Sequence, residues 1–221
     1  MIRNLKAILL SAMAIMAMSA IASTASQAAE FHSEQSETTL TLTTDGTGKT
    51  SHQVFDAAGA TVTCAGVSGH GLVTTPTATT VTLDVNYYGP CTFVGQSASV
   101  SMGSCDYTVT SHGTVSITDS TGGSCAANPI TISVPSPPCT VTVSNAAGVN
   151  QNKHHIKFHN LGSGSSREVT IEPTVTGISY TATGSGCPTA GSASNGEYTT
   201  GNVIVTGEVK NGTTMVGVWW E

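Results

Sequence analysis

Apolar residues recur at every second position along most of the chain: Leu40 and Leu42; Val81, Leu83, Val85 and Tyr87; Tyr107 and Val109; Val115 and Ile117; Ile130, Ile132 and Val134; Val141 and Val143; Ile156 and Phe158; Val169 and Ile171. Threonine or serine fills most of the intervening positions. Side chains of a strand alternate between its two faces, so this pattern buries one face and wets the other, as antiparallel sheets do. The Thr, Val and Ile bias suits the same structure. Turn-forming residues interrupt the runs at Asp45-Gly46, Gly69-His70-Gly71, Gly89-Pro90, His112-Gly113, Gly122-Gly123, Pro135 to Pro138, Gly162 to Gly164, Gly184 to Gly186 and Asn211-Gly212. The prediction is all-β: an antiparallel β-sandwich or barrel of about twelve short strands. No later segment shows the three-to-four spacing of a capped amphipathic helix, and no fixed-period repeat points to a solenoid or propeller.

The exception lies at the start. Arg3 and Lys6 precede an apolar stretch from Ala7 to Ala22, and small residues follow up to Ala28 and Ala29. That is the three-part layout of a secretory signal, and the stretch is shorter than the roughly 20 residues of a membrane span. Residues 1–29 are read as a signal-peptide helix, cut after Ala28 or Ala29, and residues 30–221 as a single secreted β-rich domain whose point of sub-division, if any, is 135–138. No second apolar run offers a membrane span after cleavage, and the first cysteine, Cys64, lies far from the cut, so no lipid anchor is predicted. The predicted location is extracellular, or periplasmic in a cell with an outer membrane.

Loss of Arg3 and Lys6 leaves five basic against thirteen acidic residues, a net charge of −8. Nucleic acid and anionic lipid are not expected as partners on that ground. The six cysteines Cys64, Cys91, Cys105, Cys125, Cys139 and Cys187 are even in number, and in an exported chain they read as a disulfide framework. No two stand at the C-x-x-C spacing of a zinc knuckle or redox site. Neighbours in a hairpin are neighbours in space, so the predicted pairing is sequential: Cys64 with Cys91, Cys105 with Cys125, Cys139 with Cys187. On chain-entropy grounds each contributes about 3 to 4 kcal/mol.

With these cysteines in view, the chain resembles a group of uncharacterised secreted bacterial proteins of actinobacterial type. The matching stretches are Val62-Thr63-Cys64, Cys105-Asp106-Tyr107, Cys139-Thr140-Val141-Thr142-Val143, Val175-Thr176-Gly177-Ile178-Ser179-Tyr180 and the ending Val216-Gly217-Val218-Trp219. The resemblance implies export and an all-β fold, and it carries no activity and no catalytic residue. Trp220 and the histidines at 154–159 depart from its pattern.

Candidate chemistry is sparse. His154, His155 and His159 stand close in sequence, but on a strand His155 and His159 are roughly 13 Å apart, too far for one ion. Alternation puts His154, Ile156 and Phe158 on one face and His155, Lys157 and His159 on the other, which reads as a solvated basic face. The nearest string to a nucleophile elbow, Gly66-Val67-Ser68-Gly69-His70, lacks the final glycine and the strand-to-helix setting. No two carboxylates are two apart on a strand, the local route to a glycosidase pair; Asp84, Asp106, Asp119 and Glu208 meet only if the fold brings them together across strands. Asp119-Ser120-Thr121-Gly122-Gly123 is a fragment of a calcium loop. No metal and no cofactor are predicted.

Asn211-Gly212 suits a two-residue type I′ turn, which sets Val205 opposite Val218, Ile204 opposite Trp219 and Val203 opposite Trp220. Val203, Val205, Val209, Val216, Val218 and Trp220 then form a core face. Ile204, Met215 and Trp219 share the other face with Glu208, either under a second sheet or as an exposed ligand patch with Trp219 as a stacking platform. Elimination leaves a non-enzymatic extracellular binding or structural module of unknown ligand, with an extracellular glycan or protein as the candidate partner. The rivals are a hydrolase of envelope or extracellular polymer and an assembling surface-fibre subunit with Thr38 to Thr44 as an exchanged edge strand.

Overall fold

The computed structural model describes residues 29–44, 52–145 and 156–221, with the backbone of 153–154. The expected signal peptide, the Asp45-Gly46 turn and His155 therefore lie outside the described residues, Ala29 excepted. The strands run in chain order as β1 (Phe31–Ser33), β2 (Thr38–Thr44), β3 (Gln53–Ala57), β4 (Ala60–Val73), β5 (Thr77–Ala78) and β6 (Thr80–Phe93). There follow β7 (Gln96–Ser101), β8 (Cys105–Thr110), β9 (Thr114–Asp119), β10 (Ile130–Pro135), β11 (Pro138–Val143) and β12 (Lys153–His154). The last are β13 (Ile156–Leu161), β14 (Glu168–Thr183), β15 (Gly191–Thr200), β16 (Val203–Val209), β17 (Met215–Val216) and β18 (Val218–Trp220). All described pairings are antiparallel, and the only helical element among the described residues is a 3₁₀ turn at Gly164–Ser166.

One large sheet curls until its pairings close into one full circuit, and a single backbone bond completes a second. The first circuit runs β4–β6–β7–β10–β11–β14–β15–β3 and back to β4. In the second, one arm runs β4–β2–β16–β14–β13 and the other β4–β6–β8–β9–β12. The arms are linked where the Ile156 N–H at the start of β13 donates to Gly113 O, in the turn between β8 and β9, at 3.2 Å. Strands β4, β6 and β14 belong to both circuits, while β18–β1–β5 forms a separate three-stranded sheet.

Each circuit encloses an apolar core. Val62, Cys64, Phe93, Ile132, Val141 and Ala182 pack in the first; Leu40, Leu42, Val67, Leu83, Phe158 and Val205 pack in the second. Every alternating pair read from the sequence turns its apolar members inward, including Ile156 and Phe158 on β13, while Lys157 and His159 are exposed. The three disulfides are those of sequential pairing: Cys64–Cys91, Cys105–Cys125 and Cys139–Cys187. Cys64 and Cys91 are direct cross-strand partners on β4 and β6, which explains why neighbours in sequence bond.

Three local expectations are corrected. The strands among the described residues number eighteen, and the three that belong to both circuits are long: 14 residues each for β4 and β6 and 16 for β14. Two expected turns lie inside them, because Gly69-His70-Gly71 belongs to β4 and Gly89-Pro90 to β6. These glycines serve close approach and bending: a Cβ on Gly69 would lie 2.5 Å from the carbonyl oxygen of Asp84, and Gly89 bends its strand with φ +79°. Second, Thr38–Thr44 is no edge, since β2 is hydrogen-bonded to β4 on one side and β16 on the other. Pro135 to Pro138 is a turn as expected, the tip of the β10–β11 hairpin, with Pro135 opposite Pro138.

The third correction concerns the C-terminal hairpin. Near the turn its register is as predicted, with Gly207 opposite Val216 and Glu208 opposite Met215. The loop is longer than two residues: Val209 N–H donates to Thr214 O, Gly212 N–H to Val209 O, and only Asn211 has positive φ. At Gly217 the strand leaves β16, where a Cβ would meet Gly164 O at 2.3 Å and the Gly217 N–H donates to a Glu34 carboxylate oxygen at 3.1 Å. Val218 to Trp220 then pair with β1, so that Trp219 faces His32 and Trp220 faces Phe31. Ile204 instead stands between Thr43 and Thr170. The buried Val203, Val205, Val216 and Val218 still face the core, and Trp220 packs against it.

Candidate functional site

Where the two cores meet, the curled sheet leaves an interior cavity of about 150 Å³. Its wall is almost wholly apolar, with Leu42, Phe55, Val67, Val85, Ile132 and Val175 among the lining side chains, and no charged residue lines it among the described residues. The polar lining groups are Gln53, Tyr87, Tyr107, Tyr198 and Ser116. Tyr87 and Tyr107 pack against both cores, so their hydroxyls sit at the junction.

Local sequence explains this placement. Tyr87 follows Val81, Leu83 and Val85 as the fourth inward position of β6, and Tyr107 stands two residues before the inward Val109 on β8. Tyr198 comes from β15, opposite Phe55 of β3. The hydroxyls of Tyr87 and Tyr107 are 3.2 Å apart, and the Tyr87 and Tyr198 rings meet edge to face with centroids 6.2 Å apart. Tyr198 donates to Gln53 Oε1, and Gln53 Nε2 donates to Thr200 Oγ1 at 2.5 Å. Burial pushes the hydroxyl of Tyr87 well above the ordinary tyrosine range, with the neighbouring Tyr198 adding to the rise. Burial likewise raises Tyr107 well above that range, and Tyr198 too. All three are neutral hydroxyls at any physiological pH.

A tyrosine hydroxyl has one proton to donate, and Tyr198 spends its own on Gln53. Between Tyr87 and Tyr107 either hydroxyl can be the donor.

The candidates read from the sequence lie elsewhere. Trp219 is half-buried: its ring stacks on His32, the Arg167 guanidinium stands 4.7 Å from its centroid, and its Nε1 donates to Glu221 Oε1 at 3.0 Å. Met215 is exposed beside Glu208 on β16, and Ile204 is half-buried on the same strand. The register does not set Ile204 beside Trp219. The six cysteines are all consumed as disulfides.

Ser68, His70 and Asp84 share one outward sheet face, His70 being directly opposite Asp84, and Asp106 stands on the neighbouring strand. No hydrogen bond or ion pair joins Ser68, His70 and Asp84 among the described residues. Asp119 is occupied by its own loop, accepting from Cys125 N–H at 2.8 Å and Asn145 Nδ2 at 3.0 Å. His159 lies 3.6 Å from a Glu172 carboxylate oxygen, and no three potential metal ligands converge among the described residues.

Comparison with known protein families, curated proteins and solved structures finds no match to this chain. Of the resemblance drawn from the sequence, what holds is the coarser part: six cysteines paired as three disulfides in a β-rich fold, which belongs to an oxidising compartment. The tyrosines and Gln53 were not singled out from the sequence. The available signal was Tyr87 and Tyr107 at inward positions of alternating strands, where a hydroxyl needs a partner.

Proposed function

We propose that this chain is an exported binding protein that takes a small apolar molecule into the interior of its curled sheet. The observation that carries the reading is the cavity of about 150 Å³ with its apolar wall. Protein interiors pack as densely as organic crystals, and natural cores leave few voids larger than a water molecule. At about 24 cal/mol per Å³, a void of this size costs about 3 to 4 kcal/mol, a large share of a typical net stability. A ligand that fills the space recovers much of that cost, and an apolar cavity of this volume is known to take up benzene. Export is supported by the signal-like segment 1–29 and by three disulfides.

The test is thermal unfolding of the purified protein with toluene or cyclohexane added up to their solubility limits. Binding to the folded state alone raises the melting temperature with ligand concentration. The expected result is a saturable rise that Val85→Phe, which fills the cavity, abolishes while leaving the protein folded. Absence of any rise with either compound in the unsubstituted protein removes the reading.

A further inference from the structure

We infer that Asn211 is a site of spontaneous covalent modification, deamidation, from which the fold protects the like-placed Asn195. Asparagine followed by glycine occurs twice in the chain, at Asn195-Gly196 and Asn211-Gly212. The reaction begins when hydroxide removes the proton of the glycine nitrogen, which then attacks the asparagine Cγ. The new N–C bond closes a succinimide ring, the bond from Cγ to the side-chain nitrogen breaks, and that nitrogen takes a proton from water and leaves as ammonia. Water then opens the ring at either carbonyl, giving aspartate or isoaspartate. Glycine favours the attack because no Cβ shields its nitrogen.

Asn211 and Gly212 are exposed in the loop between β16 and β17, and no hydrogen bond holds the Asn211 side chain among the described residues. The Gly212 N–H donates to Val209 O at 2.8 Å, and this bond must open before the nitrogen can attack. A turn bond in an exposed loop opens at little cost. There is also room for the ring to close, since an added Cβ on Gly212 would find its nearest neighbour, Val209 O, only at 3.4 Å. The second site reverses these conditions. Gly196 is buried within β15, opposite Ile178 of β14. An added Cβ there would meet Ile178 O at 2.9 Å and the Phe55 ring at 3.2 Å. Asn195 Oδ1 accepts from the Tyr180 hydroxyl at 3.1 Å, which fixes the side chain. Ring closure at Asn195 therefore waits for β14 and β15 to part. At 211 the product is a new carboxylate beside Lys210, whose Nζ is paired with Glu37 Oε1 at 2.8 Å, and isoaspartate also adds a methylene to the loop backbone.

The experiment holds the folded protein at mildly alkaline pH and follows both sites by peptide mass mapping. Cleavage after Arg167 and Lys210 separates residues 168–210, which hold Asn195, from residues 211–221. The 211–221 peptide is expected to gain the mass of an amide-to-acid conversion and to split into aspartate and isoaspartate forms. Asn195 should convert more slowly by roughly tenfold or more, because its reaction needs local opening of the sheet. In protein unfolded by denaturant with its disulfides reduced, the two sites should convert at similar rates, which assigns the difference to the fold. Gly212→Ala fits the loop without a clash, as Gly212 is not in the left-handed region, and should slow conversion several-fold by shielding the nitrogen. Equal rates at the two sites in the folded protein, or an intact Asn211 there while the unfolded chain converts, overturns the inference. So does conversion that Gly212→Ala leaves unchanged, since the side chain is then hydrolysed directly and not through Gly212.

Discussion

The indole of Trp219 lies stacked on the imidazole of His32, with ring centroids 5.2 Å apart and planes only 10° from parallel. This contact joins the last strand to the first, and the backbone does the same where Glu30 and Glu221 exchange N–H to carbonyl bonds at 2.7 and 3.0 Å. The C-terminal strand leaves β16 because these partners, together with Phe158 and Ser111 for Trp220, are better than a second pass along a strand already paired on both sides. The two tryptophans should therefore differ in mutation. Trp220→Ala empties a site beside Phe158 and strands Ser111 O, and should cost about 3 to 5 kcal/mol. Trp219→Ala loses a half-exposed stack and the Arg167 contact, and should cost about 1 to 2 kcal/mol. Denaturant unfolding of both variants checks the order.

The glycines of β4 predict a second contrast. At Gly66 an added Cβ would meet the ring of Tyr88 at 2.5 Å, but Tyr88 is half-exposed and can swing away. At Gly69 the obstacle is backbone, the Asp84 carbonyl oxygen at 2.5 Å, which cannot move without parting β4 from β6. Gly69→Ala should destabilise by about 2 to 3 kcal/mol, Gly66→Ala by less than half as much. Tyr88→Ala should relieve Gly66→Ala and leave Gly69→Ala unchanged.

These same glycines mark the limit of what could be read from the sequence. Alternation at Val81 to Tyr87 and at Ile130 to Val134 told which side chains face inward, since a period of two is a local property of one strand. The sequential disulfides were legible for the same reason, because Cys64 and Cys91 oppose each other on adjacent strands. Whether Gly69-His70-Gly71 turns or continues depends on how closely β6 approaches, which no local pattern records. Gly217 is another such case, since its departure is decided by Glu34 and Gly164, remote in sequence. The cavity was illegible altogether. Inward positions count side chains and not the volume that a curled sheet encloses, and the hydroxyl cluster assembles Tyr107, Tyr87, Tyr198 and Gln53 from four different strands.

Two aspartates predict opposite pH effects. Burial raises the carboxyl of Asp106 above its ordinary range, and the nearby Asp84 adds to the rise. A raised acid favours the fold while protonated, so its contribution is full at low pH and is lost as pH climbs through the raised value. Asp106→Asn should then be more stable than the unsubstituted chain at pH 7 and equal to it near pH 3. The bonds from Asn145 and from the Cys125 N–H lower Asp119, which contributes above the ordinary aspartate range and loses that contribution as pH falls through the lowered value. Asp119→Ala should be less stable at pH 7, with the difference shrinking on acidification. Melting temperatures of the three proteins between about pH 3 and 7 show whether the two curves diverge in these directions.

The disulfides should yield to reductant in a fixed order. Thiol–disulfide exchange needs a thiolate to reach one sulfur, so in the folded state access decides which bond breaks first. Cys64, Cys91, Cys105, Cys125 and Cys139 are all buried, with Cys125 fully enclosed, whereas Cys187 is half-buried in the loop after β14. Mild reduction should open Cys139–Cys187 while the other two bonds persist. What that opening releases is the segment between β14 and β15, held otherwise by a few backbone bonds such as Gly186 N–H to Pro138 O at 2.9 Å and Thr189 N–H to Ala58 O at 2.9 Å. The long strands on either side remain paired through β11 and β3. The partly reduced protein should therefore keep its β-sheet circular dichroism and unfold at a lower temperature, with a loss of about 2 to 4 kcal/mol. Differential alkylation followed by peptide mass mapping identifies the first pair labelled. Labelling of Cys64 or Cys105 ahead of Cys187 would show that the buried cores open before the loop does, and would reverse the order of local stability argued for this fold.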